Sequence, residues 1–220
     1  SKKYPLASDP SRVMEPYKIM CDLGGTGLKG GTTSTTKNAY EFYRYLRKKG
    51  KHHNFLLSKG DHRKSGPYFK KSYPDNSNRS DRMADGRGEI PIHILNTHTL
   101  KDIVWSRIEE YEVENNPEPL SFVIPQWFVE ENMMWWFSEL TTEQREDVKG
   151  WTNPHGRRNE AFDLAYMAEA LYRIVGADKI DWGKAPRWAQ PHDTNSLVIS
   201  KDGRRNVKRL SAAELAKLNN

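Results

Sequence analysis

The chain has 220 residues, with 35 Lys and Arg against 29 Asp and Glu, and therefore a formal net charge of +6. Its mean hydropathy is −0.88 and its pI is about 9.2, which is typical of a soluble chain that meets a polyanion. The longest apolar stretch, Phe122–Val129, is interrupted by Pro125 and is far shorter than the roughly 20 residues of a membrane span. The single cysteine, Cys21, excludes an internal disulfide framework and a cysteine zinc cluster.

The first predicted elements are a strand, a helix and a second strand. Tyr17–Asp22 is a β-prone run that ends before a glycine-rich turn. Thr36–Lys49 has apolar residues at helical spacing and ends in a basic turn before Gly50. Asn54–Ser58 is the next predicted strand. This order of elements indicates an α/β fold.

The middle of the chain alternates between polar and apolar segments. Lys59–Gly88 is rich in Gly, Pro, Ser and charge, which predicts a long loop or a pair of ribbons. Ile90–Leu95 is a predicted strand and Thr99–Glu112 a predicted helix. Pro119–Glu130 is expected to be an apolar edge segment. Asn132–Phe137 is rich in Met, Trp and Phe, and we expect it to anchor in the core.

The last part of the chain contains the clearest helix, Asn159–Val175, which Asn159 caps and Gly176 ends. Asp178–Asp193 is predicted to be an extended arm, and Ala212–Leu218 a terminal helix. We therefore expect a lead over residues 1–16, a main domain over 17–176, and an arm with a terminal helix over 177–220.

Charge is distributed in three blocks. From Arg44 to Gly88, 13 Lys and Arg stand against four acids, a net of +9. From Glu109 to Asp147, 11 acids stand against Arg145, a net of −10, and Lys201–Asn220 carries +4. The first block also contains aromatic residues, and such a mixture can neutralise phosphates by counterion release. Both contact with nucleic acid and a solvated loop remain open for this block.

Two acids stand out on the helix over residues 159–175. Glu160 lies in the middle of its apolar stripe and Asp163 on the shoulder, so both carboxylates are predicted to face the body of the protein. A buried carboxylate is costly unless it is paired or holds a cation. A favourable helix dipole, or a salt bridge to Arg157 or Arg158, is the alternative explanation. The stripe consists of Leu164, Met167, Ala168, Leu171, Ile174 and Val175.

A further acid, Asp22, ends a predicted inner strand, which is where α/β sheets place ligand groups. A strand-end Asp together with Asp163 of the helix predicts a pocket for Mg²⁺ or Mn²⁺, the cations that carboxylates suit. Metals held in this way activate water and stabilise the leaving oxygen in phosphodiester cleavage. The segment Asp22–Gly30 is also similar to the phosphate loop of sugar kinases in the actin-like ATPase superfamily, which leaves that function as a remote alternative.

Four histidines could suggest a metal site, but their spacing closes no ligand set. We expect them to be solvated or to face phosphate. They are His52, His53, His62 and His98.

The order of these motifs resembles the C-terminal nuclease part of the large subunit of lambda-like tailed-phage DNA-packaging terminases. The similarity extends from Tyr4 to Val198, and Arg157–Asp163 (Arg-Arg-Asn-Glu-Ala-Phe-Asp) is its most specific segment. The other motifs are the strand ending Asp22-Leu-Gly-Gly, the helix Ala39–Arg44, Lys59-Gly-Asp61, Leu95–Asp102 and Glu139-Leu-Thr-Thr-Glu143.

The resemblance implies an RNase H-like mixed sheet flanked by helices, here with an extended basic C-terminal arm. It implies an endonuclease that cuts double-stranded viral DNA during genome packaging with two Mg²⁺ or Mn²⁺ ions. It assigns Asp22 and Asp163 as catalytic metal ligands and Glu160 as a neighbouring ligand. The candidates for DNA contact are Lys59, Lys101, Arg63, Lys64, Lys70, Lys71, Arg157 and Arg158.

The implied partners are double-stranded DNA, the terminase ATPase domain, the small subunit and the portal protein, with no membrane. The implied location is the host cytoplasm, with transient binding to the procapsid. The family's first metal ligand lies on an earlier central strand, whereas Ser1–Glu15 is polar and contains prolines. We therefore expect a fragment or natural variant without that strand and without the ATPase motor. A catalytically incomplete DNA-binding or portal-docking module stays open as the second hypothesis.

Overall fold

The computed structural model describes residues 2–24, 35–62, 65–73, 89–109 and 127–201. Within these ranges the α-helices are α1 Thr35–Lys48, α2 Thr97–Glu109, α3 Trp127–Glu130, α4 Met134–Leu140 and α5 Glu160–Ile174. The strands are β1 Tyr4–Pro5, β2 Arg12–Met14, β3 Ile19–Asp22, β4 Phe55–Asp61, β5 Phe69–Ser72, β6 Ile92–Asn96, β7 Gln144–Glu146, β8 Gly150–Thr152 and β9 Val198–Ser200.

The chain forms two compact units, of which the larger is Met20–Val175. Its main sheet has four strands in the order β3-β4-β6-β5. Strands β4 and β6 run parallel, with Asp61 opposite Asn96. Strand β5 runs antiparallel to β6, with Ser72 opposite Ile92. The expected mixed sheet of an α/β fold is therefore confirmed.

Helices flank both faces of this sheet. Ile92 and Leu95 of β6 point to opposite faces, because side chains alternate along a strand. Ile92 packs with Leu57 of β4 and Tyr40 of α1 in one core cluster. Leu95 belongs to a second cluster, to which α2, α4, β8 and α5 contribute Leu100, Val104, Leu140, Trp151, Phe162, Tyr166 and Met167.

Most predicted elements of this unit are confirmed, with shifted ends. Helices α1 and α5 each lie within one residue of their predicted bounds, and Gly176 follows α5 with φ +71° as a left-handed residue. Strand β4 continues to Asp61, beyond the predicted end at Ser58. Strand β5 lies in the predicted loop or ribbon region, and its pairing with β6 agrees with the ribbon alternative. Residues 63–64 and 74–88 of that region lie outside the described residues.

Helix α5 buries a different face from the one that its apolar pattern predicts. Leu164 is 61% exposed, and Glu160 is exposed as well. Phe162 is fully buried and packs edge-on against Trp151 at 5.0 Å, so aromatic burial sets the rotation of the helix. The prediction that Glu160 points into the body is wrong. The buried carboxylate is instead Glu169, whose oxygens lie 2.7 Å from Arg107 Nη1 and 2.6 Å from Arg173 Nε.

The segment before α5 also differs from its prediction. Trp127–Glu130, expected to be part of an extended apolar edge, is the short helix α3, and 110–126 lies outside the described residues. Met134 and Trp135 of α4 are 57% and 54% exposed, so they do not anchor in the core. A short helix can turn only one face to the core, and here that face carries Trp136, which packs against the second cluster.

The smaller unit comprises the described parts of residues 1–19 and 176–201. It contains an antiparallel sheet in the order β1-β2-β9, with Val13 opposite Ile199. Tyr17 stacks on Trp188 with ring centroids 4.3 Å apart. The expected extended arm over Asp178–Asp193 instead folds into 3-10 turns at Ala177–Lys179, Trp182–Lys184 and Arg187–Ala189. The predicted terminal helix over 212–218 lies outside the described residues. No helix in the described ranges is long and apolar enough to span a bilayer.

Candidate active site

The ends of three neighbouring strands form the floor of a polar cavity in the larger unit. Strand β3 ends at Asp22, β4 at Asp61, and β6 at Asn96, after which α2 begins directly at Thr97. A Cβ atom on Gly60 would lie 2.9 Å from Thr97 Cγ2. Glycine at this position therefore allows the first turn of α2 to pack closely against β4.

The cavity has a volume of about 430 Å³ and brings together residues that are far apart in the sequence. Asp22 and Asp163, the two predicted metal ligands, both line it, as do the predicted basic residues Lys59 and Lys101. The remaining lining residues are Gly24, Gly60, His62, Thr97, His98, Glu143, Trp151, Asn153, Asn159 and Tyr166.

Lys101 is buried at the wall of this cavity and bridges two carboxylates. Its Nζ lies 2.6 Å from Glu143 Oε1 and 2.8 Å from Asp163 Oδ1. The same ammonium group lies 5.0 Å from the ring centre of Phe162 and 5.2 Å from that of Tyr166. Charge pairing and cation–π contacts together compensate the desolvation of this lysine.

Glu143 is a site residue to which the sequence analysis assigned no role. It is 6% exposed, and Asn159 Nδ2 donates a hydrogen bond to the same Oε1 that Lys101 contacts. The Glu139–Glu143 segment was part of the motif pattern, but the density of acids around it concealed which carboxylate enters the cavity. A buried lysine at position 101 requires an acidic partner, and that requirement was the available signal.

The electrostatics of the cavity reflect converging carboxylates. Burial raises the pKa of Asp163, and the charges of Glu143 and Glu160 raise it further, against the opposing effect of Lys101. The pKa of Tyr166 is also raised, first by burial and then by Asp163, Asp22 and Glu143. The negative charges of Asp22 and Asp163 thus act on one buried phenol, which locates both carboxylates around the same space.

Asp22 differs from Asp163 in its surroundings. Its carboxylate is exposed and forms no hydrogen bond or ion pair with any of the residues that the structure describes. A Cβ atom on Gly24 would lie 2.5 Å from Asp22 Oδ2, so a glycine is needed to leave space for this carboxylate. Asp22 therefore presents a ligand oxygen to the cavity.

The other predicted site residues lie outside the cavity. Glu160 is exposed, and it acts on Asp163 only through its charge. Arg158 Nε lies 2.9 Å from Glu139 Oε1, in agreement with the salt-bridge alternative for the arginines, although with a different acid. Arg157 is exposed, Lys70 Nζ lies 4.0 Å from Asp61 Oδ2, and Lys71 lies over the ring of Tyr73. Arg63 and Lys64 lie outside the described residues.

The donor set of the cavity can be compared with the needs of a divalent metal. In the described part of the chain, no group of three or more His, Cys, Asp or Glu side chains is arranged to hold a metal ion. Mg²⁺ usually needs only one or two carboxylates, since water and substrate phosphates complete its coordination. The oxygens of Asp22 and Asp163 fit that requirement in number and in chemistry.

A second group of contacts fixes the wall beside the lysine. The backbone N–H of Trp151 donates to His98 Nδ1 at 3.0 Å, and the indole N–H of the same residue donates to Asp102 Oδ1 at 2.7 Å. Arg145 Nε pairs with Asp102 at 2.7 Å. These bonds attach the β7–β8 hairpin to α2. Burial, followed by the charge of His62, lowers the pKa of His98.

These observations define a mixed α/β domain with an acidic, lysine-bridged cavity at the ends of its strands. The family model described as "terminase large subunit gpA, endonuclease domain" matches residues 1–182. The chain therefore belongs to this family of terminase endonuclease domains, as the resemblance predicted. No curated protein and no solved structure matches the chain at a significant level.

Proposed function

We propose that this chain is the Mg²⁺- or Mn²⁺-dependent endonuclease domain of a terminase large subunit, and that it cuts double-stranded viral DNA during genome packaging. One observation carries the proposal: Asp22 and Asp163, far apart in the sequence, line a single cavity in a chain of the terminase endonuclease family. The mixed sheet flanked by helices supports an RNase H-like fold, which we propose for the larger unit.

We propose that Asp22 and Asp163 are the metal ligands, with Glu160 as a neighbouring acid. Two divalent ions would act as Lewis acids at the scissile phosphate and would stabilise the leaving oxygen. The raised pKa of Asp163 supports this assignment, because it reflects negative potential that Lys101 does not fully compensate. Lys101 keeps Asp163 and Glu143 in place through its two ion pairs.

Exposed bases around the cavity are the proposed DNA contacts. Lys59 lines the cavity and is exposed, which suits a contact with the DNA backbone. Lys70 and Lys71 on β5 and the exposed Arg157 extend this basic surface. Lys101, in contrast, is buried and holds two carboxylates, so we assign it a structural role.

We further propose the partners that packaging by this family requires. They are double-stranded DNA, the terminase ATPase domain, the small subunit and the portal protein. The chain would act in the host cytoplasm and would bind the procapsid transiently. The basic segment over residues 201–220 is proposed as an arm for one of these contacts.

One observation favours the alternative of a DNA-binding or portal-docking module without catalysis. The ammonium group of Lys101 already neutralises Asp163 and Glu143, and the described residues contain no ready group of three metal-binding side chains. A basic surface with such an internally neutralised cavity would still bind DNA.

A plasmid-nicking assay with Mn²⁺ separates the two functions. We expect the parent chain to convert supercoiled plasmid to nicked and linear forms, and Asp22→Asn and Asp163→Asn to lose this activity. Asp147→Asn is the matched control, because Asp147 is an exposed acid of the same unit outside the cavity. A parent chain that shows no metal-dependent cutting overturns the enzymatic function. Unchanged cutting by both cavity variants overturns the assigned site.

A further inference from the structure

His62 lies in the cavity without a role in the function proposed above. It directly follows the last residue of β4 and lines the cavity that contains Asp22 and Asp163. Its ring is exposed, and its centroid lies 5.9 Å from that of His98. The ring is therefore accessible to a molecule that enters the cavity.

The hydrogen bonds of Thr97 determine which nitrogen of His62 carries a hydrogen. Thr97 Oγ1 lies 3.1 Å from the carbonyl oxygen of Asp61, and a carbonyl can only accept, so the single hydroxyl hydrogen of Thr97 is directed there. Thr97 Oγ1 also lies 3.4 Å from His62 Nδ1. In that contact the threonine oxygen must accept, and His62 Nδ1 must donate.

A neutral His62 that donates through Nδ1 has an unprotonated Nε2. Among the described residues, no side chain or backbone group forms a hydrogen bond with that Nε2 atom. His98 has the opposite arrangement, because its Nδ1 accepts the N–H of Trp151 and its hydrogen is therefore on Nε2. Of the two rings at the cavity, only that of His62 has an available lone pair.

We propose that His62 is the general base of the endonuclease reaction, an inference that rests on the function proposed above. Nε2 of His62 takes a proton from a water molecule while the water oxygen forms a bond to the phosphorus of the scissile phosphodiester. The bond from phosphorus to the leaving deoxyribose oxygen breaks, and that oxygen takes a proton from solvent. Thr97 is a positioning residue, since it holds the Nδ1–H of His62.

The test is Mn²⁺-dependent nicking by the parent chain, His62→Ala and His62→Asn, with and without added imidazole. A general base contributes roughly 10²- to 10⁴-fold, so we expect His62→Ala to lose at least about 100-fold in cutting rate. Imidazole should restore part of that rate, and duplex binding should stay unchanged. His192→Ala, an exposed histidine of the smaller unit, is the matched control and should cut like the parent.

His62→Asn separates a base from a structural contact. Its amide can still donate to Thr97 Oγ1 from the position of Nδ1, but it has no basic nitrogen, so we expect it to lose as much rate as His62→Ala. Full activity in His62→Asn, activity in His62→Ala close to that of the parent, or a loss that imidazole does not restore overturns the role of His62. A parent chain that does not cut overturns the proposed function, and this inference with it.

Discussion

The ammonium group of Lys101 lies 2.8 Å from Oδ1 of Asp163, and this ion pair joins helix α2 to helix α5 at the wall of the cavity. The side chain of Lys101 is 8% exposed, whereas that of Asp163 is 38% exposed. The lysine is thus the buried member of the pair. It also holds Glu143, whose side chain is 5% exposed.

Replacement of Lys101 by Met should destabilise the larger unit by roughly 3 kcal/mol, because it leaves the buried Glu143 without its cationic partner. The double variant Lys101→Met with Glu143→Gln should recover part of that loss, since the unpaired charge is then absent. Urea unfolding measures both. The surface pair Lys149–Glu146 is the control, and Lys149→Met should cost less than about 1 kcal/mol. Equal losses in the two lysine variants would contradict a structural role for Lys101.

The stability of the larger unit should fall as the pH decreases below about 6.5. Burial lowers the pKa of His98, so the unfolded chain takes up a proton at a higher pH than the folded one. Protonation at Nδ1 would also remove the hydrogen bond from Trp151. The stabilising contribution of neutral His98 is therefore complete above the ordinary histidine pKa, and it is lost as the pH falls from there towards the lower folded value.

Urea unfolding at a series of pH values tests this dependence. His98→Asn retains an acceptor oxygen and cannot titrate, so its stability should vary less with pH between about 7.5 and 5. The exposed His155 is the matched control, and His155→Asn should keep the pH dependence of the parent. The same slope in His98→Asn as in the parent would refute the assignment.

Gly150→Ala should be one of the most destabilising single-methyl changes in the chain. Gly150 has φ +82°, and a Cβ atom there would lie 2.6 Å from the His98 ring. Gly156 is the matched control, because it also has a positive φ, +57°, but nothing within 4 Å of an added Cβ. Both variants lose about 1–2 kcal/mol through backbone strain, and we expect Gly150→Ala to lose about 1–3 kcal/mol more through overpacking. Similar melting temperatures would show that the His98 contact is easily displaced.

Duplex binding by the chain should depend steeply on salt between about 50 and 200 mM, because phosphate contacts release counterions. The double variant Lys70→Gln with Lys71→Gln should lower the slope of log affinity against log salt by about 1–2. Fluorescence anisotropy with a labelled duplex measures both slopes. Lys179→Gln with Lys184→Gln on the smaller unit is the control and should retain the parent slope. Binding that is insensitive to salt would exclude the basic surface as the DNA contact.

Local sequence signals were sufficient for most elements of the larger unit. The spacing of apolar residues, a basic last turn and a following glycine placed α1 and α5 within one residue of their observed ends. The same kind of signal failed for the rotation of α5, because Leu164 and Phe162 are both apolar and only packing decides which is buried. Trp135 failed for the same reason, since a hydrophobic side chain on a short helix is buried only if its face meets the core.

The sequence by itself determined the family, the alternation of strands and helices, and Asp22 and Asp163 as candidate ligands, because each depends on residues close together in the chain or on their order. Only the tertiary structure decided that both acids line one cavity with Lys59 and Lys101, that Glu143 is the buried partner of Lys101, and that Thr97 fixes the tautomer of His62. These relationships join separate strands and helices, and such distances are set when the sheet and its flanking helices pack.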